Sequence, residues 1–213
     1  MANASRFLFF FLVMKPLAFL ILGLNVRRRN LLPRKGPAII VANHNSHLDT
    51  VILLALLPYR VAMKVSPVGA ESYFFRNRFL ACFSRNILGI VPVDGKHCAS
   101  AAGMLRSVSG VLAEGGIVLI FPEGTRGEPE RMGRLHPGIA HILKPHPEAP
   151  VIPVFIHGAG KALPRGESIL VPFLCDVLVG NQLFWTGNRT GFMDQLASSF
   201  RQLAIEGGFH EWV

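Results

Sequence analysis

The 213-residue sequence has little cysteine and little negative charge. Its three cysteines, Cys82, Cys98 and Cys175, are widely spaced and form neither a CxxC pair nor a Cys/His ligand pattern. An odd number of scattered cysteines argues against a disulfide framework and predicts small buried side chains in a reducing compartment. Internal repeats, low-complexity tracts and an evident interdomain linker are also missing, so we expect one main domain with a terminal appendage.

The charge is low in amount and positive in sign. Charged residues make up 16% of the chain, with 13 acidic against 22 basic side chains, for a net charge of +9, while 50% of the residues are hydrophobic. A basic protein can meet nucleic acid, anionic lipid or a phosphorylated small molecule. Because the positive charge here accompanies long apolar stretches, the composition favours an anionic membrane face and argues against nucleic acid.

The first 30 residues are expected to form a membrane anchor. Residues 7–24 are apolar except for Lys15 and Pro16. A spanning helix needs about 20 apolar residues, and a charge at mid-depth costs roughly 2.5–3.5 kcal/mol. Three forms therefore remain open: a spanning helix, a re-entrant helical hairpin bent at Pro16, and a helix lying in the interface.

The basic cluster after this run predicts the orientation of the rest of the chain. Arg27, Arg28 and Arg29 follow the apolar run, whereas a signal peptide carries its positive charge first. By the positive-inside tendency, residues 31–213 should lie on the cytoplasmic side of the membrane.

Beyond the anchor, short apolar runs alternate with helical stretches, which predicts an α/β fold. We expect a mixed, largely parallel sheet covered by helices, with an N-terminal hydrophobic membrane-anchoring helix or helical hairpin. The predicted strands are residues 38–42, 61–65, 87–93, 117–121 and 151–156. The predicted helices are residues 46–57, 71–84, 97–114, 137–144 and 190–206. Sheets of this kind place ligands beyond the carboxyl ends of their strands.

A polar motif, NHNSHLD, follows the strand at residues 38–42. If His44 and Asp49 lay on one helix they would point about 140° apart. We therefore expect His44 in the loop, Ser46 as the helix cap and Asp49 in the first turn, from which its carboxylate reaches back to the imidazole. Such a carboxylate fixes the histidine tautomer and stabilises the imidazolium, so the pair predicts a general base acting on a substrate hydroxyl.

A second motif, FPEGTRG, follows the strand at residues 117–121. Its glycines allow close approach of the backbone to a ligand, Thr125 supplies a hydroxyl, and the planar fork of Arg126 matches phosphate oxygens. The segment predicts a phosphate cradle. Arg131 and Arg134 either widen this positive field or belong to a solvated basic loop.

These two motifs carry a resemblance to a known family. NHNSHLD resembles the NHxxxxD motif of the lysophospholipid and glycerol-phosphate acyltransferase superfamily, which includes the 1-acylglycerol-3-phosphate (lysophosphatidic acid) acyltransferases, and FPEGTRG resembles its phosphate-binding motif. Residues 89–94, GIVPVD, and residues 151–154, VIPV, resemble two further blocks of the family. The resemblance extends over residues 36–158.

The resemblance implies transfer of a fatty acyl group from acyl-CoA or acyl carrier protein to a lysophospholipid hydroxyl, such as that of lysophosphatidic acid. It implies no metal and no cofactor, and a place on the cytoplasmic face of the inner (plasma) membrane. The residues it assigns are His44 as base, Asp49 as its orienting partner, and Glu123, Gly124, Thr125 and Arg126 as ligands of the acceptor phosphate.

The chain departs from the family pattern at one position. The family's GxxxxDR block has arginine directly after its aspartate, whereas Asp94 is followed by Gly95 and then Lys96. Lys96 is expected to supply the missing charge to the phosphate, as a point charge instead of a bidentate fork. The identity of the acceptor depends on this substitution.

Three other interpretations remain to be tested. His44, His47 and Asp49 could bind a metal, but neither HExxH nor a second ligand set accompanies them, so His47 is interpreted as a structural hydrogen-bonding partner. The acceptor could be glycerol 3-phosphate, another lysophospholipid or a lyso-aminolipid. In the third interpretation, the protein binds membrane lipid without catalysing a reaction. The intact motifs argue against this interpretation.

Overall fold

A computed structural model describes residues 2–70, 77–93, 98–127, 131–163 and 171–209. These residues form a sheet of seven strands in the order β1-β7-β6-β2-β5-β3-β4. The strands are β1 (Leu24–Arg27), β2 (Ala38–Ala42), β3 (Val65–Ala70), β4 (Val91–Val93), β5 (Ile117–Ile120), β6 (Val151–His157) and β7 (Cys175–Val179). Neighbouring strands are parallel except β6 and β7. The predicted mixed, largely parallel sheet is confirmed.

Helices surround this sheet. The α-helices of the described residues are α1 (Ala2–Phe9), α2 (Leu48–Leu56), α3 (Tyr59–Ala62), α4 (Arg78–Phe83), α5 (Cys98–Ala113), α6 (Gly138–Leu143), α7 (Ala159–Ala162) and α8 (Arg189–Gly207). Single π-helical segments occupy Phe10–Met14, Leu17–Ile21 and Ser84–Leu88, and a 3₁₀ turn occupies Arg29–Leu31.

The sheet is buried on both faces, as its apolar central strands require. Every residue of β2 and β5 is buried. On one face Ile40 packs in a cluster with Phe10 of the N-terminal segment and Ile52 of α2. On the other face Ile39 packs with residues of α5, α6 and α8, including Phe200. Alternate residues of one strand thus serve two separate cores.

The N-terminal segment packs along the first of these faces. It is helical from Ala2 to Ile21, but Pro16 has no N–H to donate, and π-helical turns occupy both sides of it. Phe10 and Met14 are buried against the domain. Among the described residues, no helix is both long and apolar enough to cross a bilayer, so the spanning form of the predicted anchor is not found.

Two predicted strands differ from the structure. Residues 61–65 were predicted as a strand, but Val61 and Ala62 belong to α3. Their N–H groups donate to the carbonyl of Pro58, which precedes the helix. The strand β3 begins only at Val65. In the predicted strand 87–93, the first residues belong to a π-helical turn that ends at Gly89, whose φ is 68°. Only Val91–Val93 is extended.

The sequence prediction missed β1 and β7. Residues of β1 are alternately exposed, as on an edge strand, and Asp176 interrupts the apolar run of β7, so neither segment reads as a short apolar run. Because β1 pairs with β7, residues predicted as anchor contribute to the sheet. Arg27 and Arg28 both contact Glu206 of α8.

Candidate active site

The site lies where β2 ends, at the carboxyl edge of the parallel strands. Asn43 extends the pairing of β2 with β6 by one step, because its side-chain oxygen accepts from the N–H of Ile156 (2.7 Å) and its amide donates to the Ile156 carbonyl (2.8 Å). The chain then turns through His44 into a loop, and α2 begins at Leu48, two residues later than predicted. The Ser46 hydroxyl accepts from the N–H of Leu48 at the start of this helix.

The predicted contact between the histidine and the aspartate is present. His44 Nδ1 lies 2.9 Å from Asp49 Oδ2. The same oxygen accepts from the N–H groups of Asn45 (2.8 Å) and Ser46 (2.9 Å), and the side chain of Asp49 is 1% exposed. An ionised carboxylate only accepts hydrogen bonds, so Nδ1 is the donor and the lone pair of His44 is on Nε2.

The imidazole of His44 is fixed from a second direction by an aromatic ring. It stacks on Phe121, with ring centroids 4.1 Å apart and planes inclined by 19°. The stack therefore holds the imidazole in one orientation. The His44 side chain stays 16% exposed, which leaves it accessible from one side.

Glu123 was predicted to bind a phosphate, but its carboxylate has another role in the structure. Oε1 accepts from the backbone N–H of His44 and Oε2 from that of Gly133, each at 2.8 Å, and the residue is 5% exposed. Burial raises the pKa of the Glu123 carboxyl, partly offset by these two hydrogen bonds. Both carboxylate oxygens thus hold backbone N–H groups, one in the His44 loop and one at Gly133.

Two glycines permit this arrangement. A Cβ at position 133 would lie 2.6 Å from Glu123 Oε2, so a side chain there would displace the carboxylate. Gly127 donates its N–H to the His44 carbonyl at 2.9 Å. The backbone of His44 is therefore held through its N–H by Glu123 and through its C=O by Gly127.

The turn at Gly124, Thr125 and Arg126 lies next to this loop. Gly124 has a φ of 72°, a conformation that favours glycine, and its N–H bonds to the Phe121 carbonyl. Gly124 and Thr125 are exposed, and Arg126 is partly buried. The turn thus exposes a hydroxyl and its backbone beside the His44 loop, and its phosphate-binding role stays a prediction.

His47 lies within the electrostatic reach of both motifs. Burial, chiefly, and then the charges of Arg126 and His44 lower the pKa of His47 from 6.5 to about 4. The ring of His47 is consequently neutral at physiological pH, and Arg126 lies near enough to lower its pKa. Among the described residues, no group of three or more His, Cys, Asp or Glu side chains could hold a metal ion.

Lys96, the remaining predicted phosphate ligand, lies outside the described residues, as does Asp94. Arg131 and Arg134 are exposed, and the Arg131 carbonyl accepts from the amide of Asn45. Sequence reasoning missed the positioning roles of Asn43, Asn45 and Gly133. The two asparagines stand in the recognised motif and could have been found there, whereas Gly133 lies in a loop with no motif.

Comparison with known proteins identifies the family of the chain. The acyltransferase family profile matches residues 23–157, more than half of the chain. A chloroplastic 1-acyl-sn-glycerol-3-phosphate acyltransferase of Brassica napus is 29% identical over 148 residues, which cover 66% of this chain and 39% of that protein. The alpha enzyme of the same name from Mus musculus is 30% identical over 192 residues, covering 85% of this chain and 65% of that protein.

The fold also has a solved counterpart. The crystal structure of PlsC, a 1-acyl-sn-glycerophosphate acyltransferase from Thermotoga maritima, matches with a TM-score of 0.70 at 17% identity, covering 95% of this chain and 83% of that one. The chain spans about two fifths of the length of the Brassica protein and two thirds of the mouse protein. The chain belongs to the acyltransferase family, among the relatives of the 1-acyl-sn-glycerol-3-phosphate acyltransferases.

Proposed function

We propose that the protein transfers a fatty acyl group from an acyl thioester, on coenzyme A or on acyl carrier protein, to the free hydroxyl of lysophosphatidic acid, giving phosphatidic acid. The observation that carries this proposal is the hydrogen bond between His44 Nδ1 and Asp49 Oδ2 in a loop whose backbone is also bonded to the second motif. The names of the related proteins support lysophosphatidic acid as the acceptor.

The reaction follows from the orientation of the imidazole. His44 Nε2 takes the proton of the acceptor hydroxyl, and the oxygen attacks the thioester carbonyl to form a new C–O bond and a tetrahedral oxyanion. When the oxyanion collapses, the C–S bond breaks and the thiolate takes the proton from the imidazolium. Asp49 holds the tautomer and stabilises the imidazolium, and Phe121 holds the ring in one orientation.

The acceptor phosphate is proposed to bind at the turn of the second motif. Arg126 supplies a charged fork, and Thr125 and the backbone at Gly124 supply uncharged donors. Lys96 is proposed to add its charge from the neighbouring block. The Glu123 carboxylate takes no direct part in phosphate binding, since both of its oxygens bind backbone N–H groups.

Residues 1–30 are proposed to hold the protein on the cytoplasmic face of the inner membrane by lying against the bilayer. Large apolar side chains are exposed along the N-terminal segment: Phe7, Leu8, Phe11, Leu12, Val13, Phe19, Leu20 and Ile21. No Asp or Glu precedes Asp49, whereas seven basic residues do, including Lys15, whose ammonium lies near two phenyl rings. A segment that is apolar and basic and has no acidic residue of its own suits an anionic bilayer.

The proposal is tested by assaying the purified protein with lysophosphatidic acid and labelled acyl-CoA or acyl carrier protein. Wild-type protein should form phosphatidic acid, and His44→Ala should lower kcat by about 10²- to 10⁴-fold because the general base is lost. His141→Ala, at an exposed position of α6, is the matched control and should keep full activity. Equal turnover by the His44 variant and the control would refute the mechanism.

A second acceptor is favoured by one sequence feature. Lys96 stands one position beyond the arginine of the family block, and lysine cannot bind a phosphate in a bidentate manner. A panel of glycerol 3-phosphate, other lysophospholipids and a lyso-aminolipid, each at the same concentration, ranks the acceptors by kcat/KM. Lipid binding without transfer from any donor to any acceptor would identify a silent lipid-binding protein instead.

A further inference from the structure

A second apolar surface lies apart from the N-terminal segment in the sequence. Leu174 is 73% exposed and Val171 is 51% exposed, and Phe173 beside them is 36% exposed. We call residues 171–174 the β7 loop, because they lead directly into β7. Three large apolar side chains on a short loop are more than scattered surface hydrophobics require.

The backbone of the β7 loop is fixed while its side chains point outward. The N–H of Val171 donates to the Ala162 carbonyl at 2.9 Å, and that of Cys175 donates to the Leu22 carbonyl at 3.2 Å. Gly158, with a φ of 89°, lies so close to residues 173–175 that no side chain would fit at its position. Because backbone hydrogen bonds fix the loop at both ends, its apolar side chains cannot become buried and remain exposed on the surface.

The β7 loop lies at the same edge of the sheet as the catalytic histidine. Asp176, two residues after Leu174, pairs with His157 at the carboxyl end of β6. The Ser46 hydroxyl of the histidine loop donates to the Leu163 carbonyl at 2.9 Å, which ties that loop to the same corner of the fold. This is the edge to which a lipid acceptor must come.

The β7 loop also continues the surface of the N-terminal segment. The Leu174 side chain lies against Gly23, where an added Cβ would be 2.8 Å from Leu174 Cδ2. Leu20, three residues before Gly23, is 82% exposed. Two apolar surfaces from distant parts of the chain therefore meet at this corner.

Basic groups accompany the aromatic rings in both places. Lys161 Nζ lies 5.5 Å from the ring centroid of Phe173, and the guanidinium of Arg29 lies 5.9 Å from that of Phe19 in the N-terminal segment. A cation beside an exposed aromatic ring is suited to a membrane interface, where the ring lies at the level of the headgroups and the cation meets lipid phosphates. The charge of Lys161 beside the β7 loop is thus complementary to an anionic lipid surface.

We propose that the β7 loop, with Lys161, is a second membrane contact that inserts Val171, Phe173 and Leu174 into the headgroup region of an anionic bilayer. This inference rests on the proposed function in two respects: the acceptor is a membrane lipid, and the N-terminal segment lies against the bilayer. The N-terminal segment alone would let the protein tilt about the axis of that segment. A second contact at the β7 loop fixes the orientation of the protein on the membrane. The bilayer then meets the protein at the active-site edge, so the acceptor's headgroup enters near His44 without leaving the membrane.

The first experiment measures binding of the full-length protein to vesicles of equal parts phosphatidylglycerol and phosphatidylcholine by flotation. Leu174→Asp should weaken the partition coefficient about tenfold, because an exposed leucine that enters lipid is replaced by a charge. Ile205→Asp is the matched control, since Ile205 is 51% exposed on α8, which covers the opposite face of the sheet. Equal partitioning of the two variants would overturn the proposal.

The second experiment asks whether the loop enters lipid. Phe173→Trp and Ile205→Trp are compared in vesicles whose acyl chains carry bromine, which quenches indole fluorescence on contact. The native tryptophans, Trp185 and Trp212, give the same background in both. Quenching of the Phe173→Trp protein well above that of the Ile205→Trp protein is expected, and equal quenching would contradict insertion.

The same variants show whether the β7 loop contacts a second copy of the protein instead of lipid. If Leu174→Asp halves the molecular mass in light scattering and leaves vesicle binding unchanged, the loop is a contact between two copies and the membrane proposal is wrong. Neither binding experiment depends on turnover. A protein that loses vesicle binding with Leu174→Asp but transfers no acyl group would refute the proposed function and leave the second contact intact.

Discussion

The two halves of the candidate site are built in opposite ways. In the half around His44, the carboxylates of Asp49 and Glu123 are buried and accept hydrogen bonds from the loop that they hold. In the half around Thr125, Gly124 and Thr125 are exposed and Arg126 is partly buried. A general base must be oriented before substrate arrives, whereas a phosphate-binding turn must keep its donors accessible. Substitutions in the first half should therefore act on kcat, and those in the second half on the KM for the acceptor.

The largest effect separating the halves is expected from Asp49→Asn. The amide is nearly isosteric but carries no charge to stabilise the imidazolium, and it can present an NH₂ group to Nδ1 and impose the wrong tautomer. We expect kcat to fall about 10³-fold with little change in the acceptor KM. Steady-state kinetics with lysophosphatidic acid measure both.

Asp176→Asn is the matched control for this substitution. Asp176 lies on β7, where its carboxylate accepts from the amide of Asn25. Its kcat should stay within about twofold of wild type, since the Asp176 carboxylate contacts Asn25 and neither of the two motifs, and polar changes of this kind are nearly neutral. A rise in KM without loss of kcat in Asp49→Asn would contradict the division of the site.

Glu123→Gln tests to which half Glu123 belongs. A glutamine can accept from His44 or from Gly133, but its NH₂ then faces the other N–H, so the loop shifts. We expect kcat to fall about 10²-fold, as small misplacements of a catalytic group do, with the acceptor KM nearly unchanged. If the KM rises and kcat holds, the carboxylate acts on the phosphate after all. Glu206→Gln, which alters only an exposed ion pair with Arg28, is the control.

Arg126→Gln is expected to affect the other half. Loss of a charge-assisted contact to phosphate costs about 1.5–3 kcal/mol, which corresponds to an increase of about 10- to 100-fold in the acceptor KM. The kcat at saturating acceptor should change much less. Arg201→Gln, an exposed substitution on α8, controls for loss of one positive charge. A loss of kcat alone would indicate that Arg126 acts on the reaction itself.

The smallest effect concerns His47, which lies between the halves. Its pKa is about 4 in the folded protein against 6.5 in the unfolded chain. Between these values the unfolded chain binds the extra proton, so the free energy of unfolding falls as the pH is lowered from 6.5 to 4. His47→Asn removes this term. Solvent screens the partly exposed ring, so the effect is small. On acidification, we expect the Tm of the wild type to fall about 3 °C more than the Tm of His47→Asn.

Melting curves of the wild type and His47→Asn at pH 7, 5.5 and 4.5 provide the measurement. His141→Asn should follow the wild type, because His141 is exposed on α6. Parallel loss of Tm in the wild type and the His47 variant would show that other groups account for the acid sensitivity.

Much of the base half could be predicted from the sequence, for a geometric reason. Helical geometry forbids His44 and Asp49 from meeting on one helix, so a loop histidine and a first-turn aspartate were the arrangement that allowed contact. The buried strands β2 and β5 were also predictable, because apolar runs bounded by turn residues leave few alternatives. The loop-holding role of Glu123 was not, since its partners are backbone groups that carry no signature in side-chain patterns.

The strands β1 and β7 were missed because their side-chain patterns only weakly indicate a strand. In an edge strand such as β1, alternate residues are exposed and the others are only partly buried. Its pairing partner, β7, lies about 150 residues further along the chain, so no short-range pattern in the sequence indicates the pairing. The N-terminal segment was identified by hydropathy, but hydropathy alone does not distinguish a bilayer from a protein core as the place where Phe10 and Met14 are buried.

The amide of Asn43 has a consequence for anyone who wishes to move this site to another scaffold. It binds both backbone groups of Ile156 and so fixes the point at which β2 stops and the histidine loop starts. If residues 43–49 alone were grafted, nothing would fix the residue at which the strand ends and the His44 loop begins. The smallest transferable unit comprises three strand ends: β2 with its asparagine, β5 with the turn behind it, and the residue of β6 that the asparagine binds.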